Sequence, residues 1–95
     1  MESILSTEQI HNNIANNLKR ALDHLGLSIT EAARLSGISR SCISNTINRK
    51  SRISAQTFAT ICRRLDISGD FLWATNPPIE YVNFVPGSLF EKEAE

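Results

Sequence analysis

The chain has 95 residues, 41% of them apolar, with ten basic side chains balanced by ten acidic ones. That is the size and make-up of one small globular domain with a tail. No apolar run approaches the roughly 18 residues of a membrane span, and the N-terminus lacks the cationic and apolar regions of a signal peptide, so a cytoplasmic location is expected.

The zero net charge conceals an asymmetry. Residues 31–65 carry seven Lys/Arg against Glu31 alone, residues 66–95 are net −5, and residues 1–30 are net −1. A basic centre with an acidic tail suggests a local anion-binding surface.

In chain order, Ser6 with Gln9 three residues later fits a capping box. Ile10, Ile14, Leu18, Leu22 and Leu25 follow at the spacing of an amphipathic stripe, and Gly26 supplies a left-handed stop. This predicts a first helix over residues 7–25. Ser28 or Thr30 caps a second helix that runs to Ser36, with Ala32, Ala33 and Leu35 on its apolar side. Gly37 stops it, and Ser39 caps a third helix over about residues 40–48. Two short helices joined across a glycine turn make a tight helix-turn-helix. Ala33 is expected to let the second helix cross closely, and Ile38, Ile43 and Ile47 to face the core.

Ser54 caps a fourth helix with Phe58, Ile61, Cys62 and Leu65 on one face. Ile67 anchors a short fifth helix over about residues 69–74, where Phe71, Leu72 and Trp73 can close the core. Asn76, Pro77 and Pro78 end the helical region. Residues 79–85 are rich in β-branched and aromatic side chains and read as extended or strand-like. Cys42 and Cys62 have no metal-ligand spacing and are expected as buried thiols. His11 and His24 are expected in surface or capping roles, and Arg63 and Arg64 as cations suited to a helix C-terminus.

Residues 37–52 pose the functional question. They hold Arg40, Arg49, Lys50 and Arg52 and no acid, and their apolar side chains are confined to Ile38, Cys42, Ile43 and Ile47. A B-DNA major groove, about 12 Å wide, admits one α-helix whose outer side chains are small and polar. Ser41, Ser44 and Asn45 permit close approach, and Arg40 at the N-terminal end can reach a base edge.

With these residues in place, the chain resembles the phage-repressor helix-turn-helix family of the Cro/CI or XRE type. The resemblance covers about residues 14–73. It is carried by Ala33, Gly37-Ile38-Ser39, Ile43-Ser44 and the segment Leu65–Leu72. It implies an all-α, five-helix lambda-repressor-like domain, taken over residues 1–76; residues 77–95, by their composition, read as an extended, strand-forming tail. It implies base-edge readers at Arg40, Ser41 and Asn45 with Ser44 beside them, and phosphate contacts from Asn48, Lys50 and Arg52. Ser39 is a cap that can touch phosphate, and Arg49 an added cation. Three positions depart from the family pattern: Ile29 where Gln is common, Arg49 where Gly is frequent, and Thr46 where a larger apolar residue is usual.

The expected function is a transcriptional regulator, most simply a repressor, that binds an operator in double-stranded DNA as a homodimer and is bacterial or phage-encoded. The alternative is a protein-interaction module, such as an antitoxin gripping a small protein partner through its tail. Dimerisation is assigned to Phe71 and Trp73 with Ile79, Tyr81, Val82, Phe84 and Val85. No cofactor, metal or catalytic arrangement is expected, because the sequence has no phosphate-cradling glycine loop and no nucleophile–base pair.

Overall fold

A computed structural model describes residues 6–79. Five helices follow in order: α1 (Thr7–Leu25), α2 (Ile29–Ser36), α3 (Arg40–Ile47), α4 (Ala55–Leu65) and α5 (Gly69–Trp73). No strand occurs among the described residues. Tyr81, Val82, Phe84 and Val85 lie outside them.

Serine side chains start the helices, each accepting a backbone N–H that the helix leaves unpaired. Ser6 and Gln9 form a reciprocal capping box on α1. Ser28, rather than Thr30, does the same with Glu31 on α2. Ser39, Ser54 and Ser68 cap α3, α4 and α5. Gly26 and Gly37 end α1 and α2 at φ 71° and 78°, where a side chain would strain the backbone.

The core joins the stripe of α1 (Ile14, Leu18, Ala21, Leu22) to Ala32 of α2, Ile43 of α3, Ile61 and Leu65 of α4, Ile67, and Phe71 and Leu72 of α5. Helix α1 packs on α5 and α3, and α2 packs on α3 and α4. The close fit of α5 depends on Gly69, where an added Cβ would lie 3.3 Å from the Phe58 ring.

Packing refines and corrects several expectations. Ala32, at 0% exposure, is the fully buried small residue of α2, and Ala33 packs half-buried against the same core. The expected α3 seam does face the core, with Ile43 buried and Ile38 and Ile47 packed half-buried against it, but Thr46 joins it as a buried residue. The Thr46 hydroxyl donates to the Cys42 carbonyl at 2.9 Å, so its polar atom is satisfied within the helix. Cys42 and Cys62 are free and half-buried, not fully buried. Partial burial pushes the Cys62 thiol pKa up, which disfavours its thiolate. Both α3 and α5 stop one residue earlier than expected, at Ile47 and Trp73.

The short α5 is held by a polar clasp from α1. The Asn17 side chain, 1% exposed, shares the two N–H groups of its amide among the carbonyls of Phe71, Leu72 and Ala74 at 2.8–3.0 Å. These include carbonyls that the end of a helix leaves without intrahelical partners. Arg20 donates to Asn17 Oδ1 at 3.1 Å and to the Pro77 carbonyl at 2.8 Å. Its guanidinium lies 5.6 Å from the centre of the Phe71 ring.

Candidate nucleic-acid interface

The three-residue connection of Gly37, Ile38 and Ser39 sets α3 against α2. Ser36 braces this turn: its hydroxyl donates to the Ala32 carbonyl at 2.7 Å and accepts the Ile38 N–H at 3.2 Å. With Ile43 and Thr46 inward, the opposite side of α3 presents Arg40 and Ser41, both exposed, and Ser44 and Asn45, both half-buried. Together with Ile29 and Thr30 they line an open cleft of about 370 Å³. The cleft thus gathers Arg40, Ser41, Ser44 and Asn45, and adds two residues of α2 that sequence reasoning did not assign to the site. One of them, Ile29, stands out in the sequence only as a departure from the family pattern.

Beyond α3 the chain turns sharply. Asn48 caps the helix, and Arg49 takes φ 61° in the left-handed region. The Lys50 N–H closes back onto the Asn45 carbonyl at 2.8 Å. Arg49 therefore occupies a conformation suited to glycine, which accounts for the frequent Gly at this position and for the shorter helix, while the Arg itself has no structural explanation. Asn48, Arg49, Lys50 and Arg52 are all exposed on this loop. Asn48 donates to Ser44 Oγ at 3.2 Å, so these two side chains are tied to each other. Arg52 bonds Glu8 of α1 at 3.1 Å. The only other ion pair among the described residues is Lys19–Asp23, which leaves Arg40, Arg49 and Lys50 without an acidic partner there.

The starts of α2 and α3 differ in charge. Glu31 occupies the first turn of α2, and its carboxylate accepts the Ser28 N–H at 2.9 Å. That bond, followed by the Ser28 hydroxyl and the charge of Arg34, holds its pKa below the ordinary 4.5 despite an opposing effect of burial. Helix α3 has no acid in its first turn. An anion is therefore opposed at the start of α2 and favoured at the start of α3.

The helix-turn-helix family matches residues 18–72, more than half of the chain, and this match includes α2, the turn and α3. The chain belongs to the Cro/CI-type helix-turn-helix family. This is a family of DNA-binding transcription regulators. Searches of curated proteins and of solved structures give no match. No described helix is long and apolar enough to cross a membrane.

The remaining assigned positions separate by burial. Phe71, expected at a dimer face, is 2% exposed and lies in the core, packed in the central apolar cluster with Arg20 over its ring. Trp73 is 47% exposed, the one large apolar side chain so exposed among the described residues. It stacks on Phe58 with ring centres 5.9 Å apart. Ile79 is half-buried against the chain's own core. His11 is half-buried beside the loop after α3, and Arg63 and Arg64 are exposed in the last turn of α4.

Proposed function

We propose that the chain is a sequence-specific transcriptional repressor that places α3 in the major groove of its operator. The observation that carries this is the two-sided character of α3. Ile43 and Thr46 are consumed by the core, while the outer side is small, polar and cationic and is followed by a loop with three unbalanced or weakly balanced cations. In this reading Arg40, Ser41 and Asn45 contact base edges, with Ser44 allowing close approach. Ser39, Asn48, Arg49, Lys50 and Arg52 meet phosphates, which fix position without reading sequence. In this reading, occupancy of the operator excludes other DNA-binding machinery from it, which is repression.

One recognition helix reads few base pairs, so the protein acts as a homodimer over half-sites about 34 Å apart. The surface proposed for this is the exposed Trp73, together with the groove that Ala74 and Pro78 line, joined by Tyr81, Val82, Phe84 and Val85 of the tail. A toxin-like protein partner would use the same surface.

The test is selection of bound duplexes from a random pool, followed by affinity measured against salt. A repressor yields a two-fold symmetric motif and a steep loss of affinity with salt. No enriched motif would sink the reading. Sedimentation of the full chain and of a chain ending at Ile79 tests the dimer surface. A truncated chain that stays dimeric removes the tail from it.

A further inference from the structure

The loop after α3 faces an acid from a different helix. Glu8 sits in the first turn of α1, and its Oε1 accepts from Arg52 Nη2 at 3.1 Å. The pair lies at a cavity of about 210 Å³ between α1 and the loop, whose walls also carry Arg49 and Lys50. The side chains of Arg52 and Glu8 are 60% and 70% exposed, so the pair is too solvated to be a strong source of stability. Its effect on the charge of the loop is larger. Among the described residues, Arg52 is the cation of this loop that an acid already answers.

We infer that Glu8 is a built-in competitor for the DNA phosphate that Arg52 would neutralise, so that α1 sets the affinity of the interface from outside the helix-turn-helix. This rests on the DNA-binding reading above. Carboxylate and phosphate oxygens make the same kind of charge-assisted bond to a guanidinium. A phosphate approaching Arg52 either breaks the Glu8 bond or shares the guanidinium with it, bringing two anions close together. Both outcomes subtract from binding. Helix α1 cannot simply swing away, because Ile14 and Leu18 pack it into the same core as Ile43. Glu8 is therefore held within reach of the loop. If Glu8 instead oriented Arg52 for the phosphate, removing its charge would weaken binding, so the sign of the effect decides between the two.

The experiment compares the full chain with Glu8→Gln on a duplex that the wild type selects, across a salt series. Glu8→Gln is expected to bind about two- to fivefold tighter at low salt, the range an exposed ion pair accounts for. Its salt dependence should steepen by up to about 0.9, the contribution of one neutralised phosphate. In an Arg52→Ala background the same substitution should give no gain. Weaker or unchanged binding by Glu8→Gln, or an equal gain without Arg52, overturns the inference and leaves DNA binding standing. A wild type that binds no duplex overturns both.

Discussion

Helices α1 and α3 carry the same kinds of polar side chain and use them in opposite ways. In α1, Asn17 is buried with its amide spent on three carbonyls near the end of α5, and Asn13 donates to the Trp73 carbonyl at 3.0 Å. Arg20 is spent in the same way on Asn17, Pro77 and the Phe71 ring. In α3, Asn45 lines an open cleft beside an exposed Arg40, and Arg40 has no acidic partner among the described residues. The chemistry of an amide or a guanidinium therefore does not say whether it serves the fold or a ligand. What decides is whether the rest of the chain has already satisfied it, since a buried polar group must be paired and an exposed one can exchange water for a ligand.

The strongest way to break this contrast is Asn17→Leu. It keeps the volume and removes the amide, so the carbonyls at the end of α5 lose their donor and Arg20 keeps only the Pro77 carbonyl and the Phe71 ring. The expected loss is about 2–4 kcal/mol of folding stability by chemical denaturation. A loss below about 1 kcal/mol would mean that apolar packing alone holds α5.

Its counterpart on α3 is Asn45→Ala. Stability should stay within about 0.5 kcal/mol of wild type, while binding to the selected duplex weakens by about 1–3 kcal/mol with relaxed preference at one base position. An equal weakening on all sequences would make Asn45 a backbone contact instead.

Arg49→Gly sharpens the comparison within the loop. Relief of the left-handed backbone should raise stability by about 0.5–1 kcal/mol. If Arg49 meets a phosphate, the salt slope should fall by about one unit. A gain in stability with no change in slope would leave Arg49 as a turn residue only.

The smallest effect concerns Glu31. Its folded pKa is lowered, so its stabilisation of α2 is present above the unfolded value of 4.5 and is lost as pH falls through the lower folded value. Glu31→Gln keeps a neutral acceptor for the Ser28 N–H and should flatten this part of the pH–stability curve. Melting temperatures taken from neutral pH downward check it, and identical curves would remove Glu31 from the acid response.

Within the described residues, the sequence by itself determined the helix order, the full span of α1, the Ser6 and Ser39 caps of α1 and α3, and the Gly26 and Gly37 ends of α1 and α2. It also determined which outer residues of α3 share one cleft. These follow from interactions three or four residues apart, where spacing alone brings the partners together. Only the tertiary structure decided that Thr46 is more buried than Ile47, that Phe71 is core while Trp73 is exposed, and that Asn17 and Arg20 close the end of α5. It also decided that Arg52 meets Glu8 across 44 residues. In each of these cases the partner arrives from a distant helix, and local periodicity carries no information about which helix that will be.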